Sequence, residues 1–190
     1  DEGVPCINYG EIHSKFGFEV DPDRHQLKCV NIEYLKKSKS SLLNHGDFVF
    51  ADTSEDVEGS GNFTYLNSHK DVFAGYHTVI ARTKEACNER FLAYLLDSIS
   101  FRVQIRKKVK GVKVFSITQN ILKSTSLWFP PENEQHAIVI FLNKKTEQIN
   151  EMILIKSQQI ELLKESHLNA MKVINSFSND ELFIKKHFYW

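Results

Sequence analysis

The stretch that most constrains this chain runs from Phe129 to about Phe177. It opens Phe129-Pro130-Pro131-Glu132-Asn133-Glu134-Gln135 and then continues with neither glycine nor proline. The two proline rings lock φ and bias the residue before them away from helix, so the entry is extended. Glu132, Glu134 and Gln135 then stand where acidic and amide side chains favour a helix N-terminus. Beyond them Leu142, Ile149, Ile153, Ile160, Leu163, Ala170, Ile174 and Phe177 recur on alternating four- and three-residue steps. That spacing predicts a coiled-coil seam rather than the broad apolar face of a globular helix. At about 1.5 Å per residue such a helix is on the order of 65 Å long. The domain before it is too small to cover it, so the seam needs another helix.

Thr146, Lys156 and His167 fall at core-type positions of the seam, where polar residues set register at some cost in stability. Lys144, Lys145, Glu147, Glu151, Lys156, Glu161, Lys164 and Glu165 interrupt every apolar run, which excludes a membrane span here. The 190 residues leave room for one ordinary domain plus this arm. The expected organisation is a domain over 1–131, the helix over 132–177, and a tail over 178–190 of unassigned role.

Lysine plus arginine and aspartate plus glutamate each number 24, so a nucleic-acid partner is visible only in local charge. Cys6, Cys29 and Cys87 are odd in number and widely spaced, which fits a reducing cytoplasm better than a disulfide scaffold. There is no signal-peptide pattern. The first residue is Asp1 rather than methionine, so the chain is expected to be a fragment, a truncated product or a natural half.

The first 130 residues read as β-rich. Val4–Gly10 is extended and turn-ended, Asp21-Pro22-Asp23 is a turn, and Cys29–Ile32 is either a short strand or the lead into a small helix capped by Asn31. Leu43–Ala51 reads as a turn followed by a buried strand. Phe63–Leu66 and Val72–Gly75 read as two strands around a loop, and Tyr76–Arg82 as another. Asn88 predicts a helix cap for Glu89–Leu96. Val114–Ile117 returns to strand, Thr118–Leu122 is a capped helical turn, and Ser126–Phe129 is expected to be a last strand. The expected class is α+β, a mixed β-rich domain followed by one long coiled-coil-type helix.

Few residue constellations carry chemistry. Phosphate-binding glycine loops of the Walker type, a dinucleotide fingerprint, a Gly-x-Ser-x-Gly turn and an Asn-Pro-Pro-Tyr-like segment are all missing from the sequence. Ser54 and His77 are the only nucleophile and base worth pairing, and no motif supports them. Cys6, His13, His25 and Cys29 lack the two close pairs of a structural zinc site. No catalytic residue, metal or cofactor is therefore assigned. Asp52, Glu55, Asp56 and Glu58 crowd one loop without calcium-loop spacing; they are either a solvated loop or acceptors for a cytosine amino group. Lys36, Lys37 and Lys39 read as a solvated basic run.

The strongest charge asymmetry lies between Phe101 and Lys113, where Arg102, Arg106, Lys107, Lys108, Lys110 and Lys113 make six cations without an acid. Cations favour a helix C-terminus, but such a cluster also suits phosphate contact, and Gln119 and Asn120 nearby suit base reading.

Four motifs in order resemble one family. They are Gly46-Asp47-Phe48-Val49-Phe50-Ala51-Asp52-Thr53-Ser54-Glu55-Asp56, then Ala74-Gly75-Tyr76-His77-Thr78, then Lys110–Ile117, then Pro130-Pro131-Glu132-Asn133-Glu134-Gln135 with the long helix. In this order, over about Val4 to Ile174, the chain resembles the specificity subunits of bacterial and archaeal type I restriction–modification systems. The resemblance implies a target recognition domain that reads one half of a split double-stranded DNA sequence, with a spacer helix. It implies docking to a modification subunit, a restriction subunit in the same complex, and no catalysis in this chain. Phosphate contacts are expected from Arg102, Arg106, Lys107, Lys108, Lys110 and Lys113, and base contacts from Thr53, Ser54, Asn62, His77, Gln119 and Asn120. A full subunit carries two recognition domains and two antiparallel helices; this chain carries one of each. A half of that kind is expected to form a two-fold homodimer through Leu142, Ile149, Ile153, Ile160, Leu163, Ala170 and Ile174 and to read a split palindrome. The rival expectation is a protein-interaction module on a coiled-coil arm with no DNA affinity.

Overall fold

The structure is a computed structural model that describes residues 3–85 and 87–178. The chain divides into two compact units, Asp1–Val139 and Ile140–Trp190. The first is built around β4 (Phe48–Ala51), in which every residue is buried. Val49 and Ala51 face one core with Ile7, Ile12, Phe16, Val20, Leu66 and Val72. Phe48 and Phe50 face a second with Phe63, Tyr65, Leu92, Leu96, Phe101, Ile105 and Ile117. A strand covered on both faces has no polar side to alternate with, which explains the unbroken apolar run.

Around β4 a four-stranded sheet runs β2 (Phe18–Val20), β6 (Phe63–Leu66), β4, β8 (Thr78–Ala81). β4 is antiparallel to both neighbours, and β2 lies parallel to β6. A second sheet has the order β3 (Lys28–Val30), β1 (Val4–Ile7), β7 (Phe73–Ala74), with β1 parallel to β7. The two strands expected around the loop at 67–71 therefore do not pair. β6 joins one sheet, between β2 and β4, and β7 joins the other, beside β1.

Short helices fill the gaps. α1 (Tyr9–Ser14) follows Asn8, whose backbone N–H donates to the Glu11 carboxylate at 3.1 Å. The Cys29–Lys37 stretch resolves into both expected elements, since β3 ends at Val30 and α2 spans Tyr34–Lys37. Its cap residue is Glu33 rather than Asn31; the Asn31 side chain accepts the Glu33 N–H one step earlier. α3 (Glu89–Asp97) starts where Asn88 accepts the Phe91 N–H at 2.9 Å. α4 (Ile99–Arg106) is capped by Ser98, and α5 (Gln119–Lys123) by Thr118.

Ser126–Phe129 forms no strand. Gln104 takes the place of a strand partner, donating to the Ser126 carbonyl at 3.0 Å and accepting the Ser126 N–H at 2.8 Å. Both backbone groups of Ser126 are thus satisfied by one side-chain amide.

The last helix, α6, spans Glu132–Ser178. Its first turns belong to the first unit, where Gln135 and Val139 are buried. In the second unit Ile149, Ile153, Ile160, Leu163 and Ile174 are each more than half exposed, Leu142 is half-buried and Ala170 is exposed. Apolar residues also lie off that row, among them Met152, Ile155 and Leu162, all exposed. The Phe177 side chain and residues 179–190 lie outside the described residues. Among the described residues no helix is long and apolar enough to cross a membrane.

Candidate nucleic-acid interface

A concavity of about 880 Å³ in the first unit lies between α1, the loop after β5 (Thr53–Ser54) and the turn at 75–77. Thr53, Ser54, Asn62 and His77 all line it, as do Tyr9, His13 and Tyr76. Gln119 and Asn120 do not; they are exposed on the first turn of α5.

One wall is a chain of hydrogen bonds whose direction is fixed by chemistry. Arg102 has only donors, so the atom that meets its Nη1 at 2.7 Å is the Asn62 carbonyl oxygen, and the Asn62 amide nitrogen faces His13 Nδ1 at 2.9 Å. His13 Nδ1 must then accept, and its Nε2 donates to the Thr53 carbonyl at 2.8 Å. His13 is thereby held in one tautomer.

The other wall is the turn that carries Tyr76 and His77. His77 sits at φ 54°, a left-handed conformation uncommon outside glycine, although histidine, like asparagine and aspartate, takes it more often than other side chains. Neighbours impose it. The Gly75 N–H donates to the Ile7 carbonyl, the Tyr76 N–H to Asn8 Oδ1, and the Asp52 N–H to the His77 carbonyl. Gly75 has no room for a side chain, because a Cβ there would stand 2.5 Å from Cys6 Sγ and closer still to Asn8 Oδ1. The His77 ring turns Nδ1 to the Asp52 carboxylate at 3.0 and 3.3 Å. Ser54 instead takes the Asp56 N–H, at 3.4 Å, so Ser54 and His77 show no nucleophile–base contact. Tyr9 packs edge-on against His77 with ring centroids 5.5 Å apart, and Tyr76 stands 70% exposed beside it.

The cation window reaches this cavity through β9 (Phe115–Ser116), which pairs antiparallel with β5 so that Thr53 faces Ser116. The Ile117 N–H donates to the Asp52 carbonyl at 2.7 Å, and Val114 lines the cavity. The six cations divide into two groups. Arg102 also reaches Asp97 at 2.6 Å, Arg106 donates to the Glu58 carbonyl at 2.6 Å, and Lys108 donates to Ser124 at 2.7 Å. Lys107, Lys110 and Lys113 are exposed on the loop between α4 and β9. The basic run at 36–39 is solvated, with Lys37 paired to Glu33 at 3.0 Å.

Both histidines of the Cys6, His13, His25 and Cys29 set are occupied elsewhere. His25 accepts the Asp21 N–H and His13 is spent as described. Among the described residues no three His, Cys, Asp or Glu side chains converge as a metal site. The thiol of Cys6, buried under β7, is pushed up to about 11 by that burial and by the nearby Glu11 carboxylate.

The residues missed by sequence reasoning are Tyr9, His13 and Tyr76. Tyr9 read as the end of a strand because Gly10 follows it. The Asn8-x-x-Glu11 spacing was the signal that a helix starts there, with Tyr9 and His13 on one face.

Comparison with known proteins bears on what such a cavity belongs to. The chain matches the family model of the type I restriction modification DNA specificity domain over residues 2–162. No curated protein matches it. Among solved structures it is similar to the S subunit of a type I restriction–modification system from M. genitalium, at 16% identity and a TM-score of 0.44. That alignment covers 96% of this chain and 44% of the other, so this chain spans less than half of that subunit. With most of its length, cavity and cation loop included, inside the matched region, this chain belongs to the type I restriction–modification DNA specificity domain family.

Proposed function

We propose that this chain reads one half of a bipartite double-stranded DNA target for a type I restriction–modification complex. The observation that carries this reading is the pairing of β5 with β9. It anchors the cation loop at the rim of a concave, polar and aromatic cavity. Phosphates held by the loop fix register, and side chains in the cavity meet base edges. Lys107, Lys110 and Lys113 supply the phosphate contacts directly. Arg102, Arg106 and Lys108 add to the local positive field while holding the loop's frame through their bonds to Asn62, Glu58 and Ser124.

In this reading the domain over 1–131 is the reader and α6 the spacer. α6 pairs antiparallel with α6 of a second copy through the 142–174 seam. The additional exposed row at Met152, Ile155 and Leu162 is available to the modification subunit. Methyl transfer and cleavage belong to other subunits of the complex, which works in the cytoplasm, and this chain uses no cofactor. The homodimer then reads a split palindrome.

Fluorescence anisotropy of labelled duplex DNA against salt tests the reading. If about five phosphates are neutralised per domain, the log–log slope is near −4.5. Absence of binding at low salt would overturn it in favour of a protein-interaction module.

A further inference from the structure

The cavity's hydrogen-bond inventory is lopsided. The nitrogen donors at its wall are largely spent inside the fold: Arg102 on Asn62 and Asp97, the His13 Nε2–H on Thr53, one Asn62 amide N–H on His13, which leaves the hydroxyls of Tyr9, Thr53, Ser54 and Tyr76 as its neutral donors. Its acceptors are left over. The Asp52 carboxylate accepts, so Nδ1 of His77 carries a proton, and Nε2 has no partner among the described residues; in the imidazole form of the ring it offers a lone pair. The Glu55 and Glu58 side chains are exposed at the same cavity and have no partner among the described residues. Asp56 gives one oxygen to the Gly59 N–H at 2.5 Å.

We propose that this cavity takes the exocyclic amino group of one adenine or cytosine in the major groove, with His77 Nε2 as its acceptor. The proposal rests on the DNA-reading function above and adds the chemistry of one contact. In the major groove only adenine N6 and cytosine N4 present donors; guanine offers N7 and O6, and thymine O4 and a methyl group. A cavity with three carboxylates and a spare imidazole acceptor repels phosphate and favours an amine. Tyr9 and Tyr76 hold the His77 ring by edge-to-face contacts, at 5.5 and 4.0 Å between centroids. The left-handed backbone at His77 is a strained conformation that its neighbours hold in place, and strain of this kind gathers where a side chain must be presented in one orientation. Tyr9 and Tyr76 are therefore specificity-determining together with His77.

The test starts from a randomised duplex library selected on the full chain and on two variants, His77→Gly and the double variant Glu55→Gln/Glu58→Gln. Glycine suits the backbone at position 77, and the glutamates are surface residues whose side chains hold nothing, so at least one variant keeps the fold, as circular dichroism will confirm. Both variants should lose selection at the same base pair and keep it elsewhere. At that pair, replacing adenine by purine, or cytosine by 2-pyrimidinone, removes only the amino group and should weaken wild-type binding about tenfold. Replacing the opposite thymine by uracil, or guanine by 7-deazaguanine, should leave it unchanged. If the wild type enriches a sequence but neither variant alters any position, or the amino-deleted base binds as well as its parent, this proposal falls and the DNA-reading function stands. If the wild type enriches nothing, the DNA-reading function falls and takes this contact with it.

Discussion

Asn62 accepts a hydrogen bond from Arg102 at 2.7 Å through its carbonyl oxygen, so a cation singled out for DNA contact is first a strut of the cavity wall. The Arg102 side chain is 17% exposed, and its second partner is Asp97. Removing Asn62 strands a half-buried guanidinium and a histidine at once. Asn62→Ala should therefore cost about 1–3 kcal/mol of folding stability, read as a lower urea midpoint with unchanged m-value. A variant as stable as wild type would show that the wall is held by Asp97 alone.

The three exposed lysines of the α4–β9 loop should behave differently. Changing Lys107, Lys110 and Lys113 together to alanine removes charge without breaking any internal bond. The salt slope should flatten by about 2.7, from about 0.9 per lost phosphate contact, while the selected sequence stays the same. A slope unchanged from wild type would mean that phosphate contacts lie elsewhere on the domain.

What the sequence revealed depended on how local each signal was. α6 was legible because two prolines, an acidic first turn and a long glycine-free stretch all act within a few residues of one another. α3 was legible from Asn88 alone, and β4 from four consecutive apolar residues. The parallel pairs β1 with β7 and β2 with β6 were not, since they join segments more than 40 residues apart and nothing in Phe18–Val20 names Thr64–Leu66 as its partner. The same reason split the candidate site. Thr53, Ser54, Asn62 and His77 meet in one cavity, whereas Gln119 and Asn120, equally polar and far closer to the cation cluster in sequence, are carried away from it by α5.

The Tyr65–Glu19–Arg90 cluster and Cys6 give the domain a defined pH range. Burial pushes Tyr65 up to about 12 and Cys6 up to about 11. Each raised acid releases its proton more readily in the unfolded chain, so folding stability is full below the ordinary values and falls as pH rises through about 9 to 12. Burial also opposes the Glu19 charge, but hydrogen bonds from Asn67, Arg24 and Arg90 outweigh it and hold the carboxyl below its usual range. That contribution is full above the ordinary carboxylate value and is lost as pH falls through the lowered one. Stability measured by urea titration should thus decline on both sides. Cys6→Ala should remove the early part of the alkaline decline, and Glu19→Gln should flatten the acid side. An alkaline limb identical in Cys6→Ala would place the ionising thiol outside the folding equilibrium.

The Gly75 turn couples the aromatic tip to the core. Gly75→Ala brings a Cβ against Cys6 Sγ and Asn8 Oδ1, and the Asn8 oxygen is the atom that holds the Tyr76 N–H. The overpacking should cost about 1–3 kcal/mol and also release the tip. Thermal melting should fall, and discrimination at the base pair assigned to His77 should weaken more than overall affinity. An equal loss of affinity for every sequence would show that the turn supports the fold without presenting His77.

The long helix carries the last prediction. Isolated helices gain little from propensity alone, and most of their stability comes from packing an apolar face. In the second unit that face is exposed from Ile149 to Ile174. Two copies packed antiparallel would bury it by knobs-into-holes contacts, and the polar seam residues Thr146, Lys156 and His167 would penalise other registers. Sedimentation equilibrium should therefore return twice the 22.0 kDa chain mass. Ile153→Asp with Ile160→Asp should return one chain mass, with reduced helicity by circular dichroism and an unchanged cavity domain. The dimer should also select a two-fold symmetric DNA sequence, while the monomeric variant selects a single half-site with weaker affinity. A wild-type chain that sediments as a monomer would remove the palindrome from the reading and leave the half-site, because the cavity and its cation loop lie entirely within the first unit.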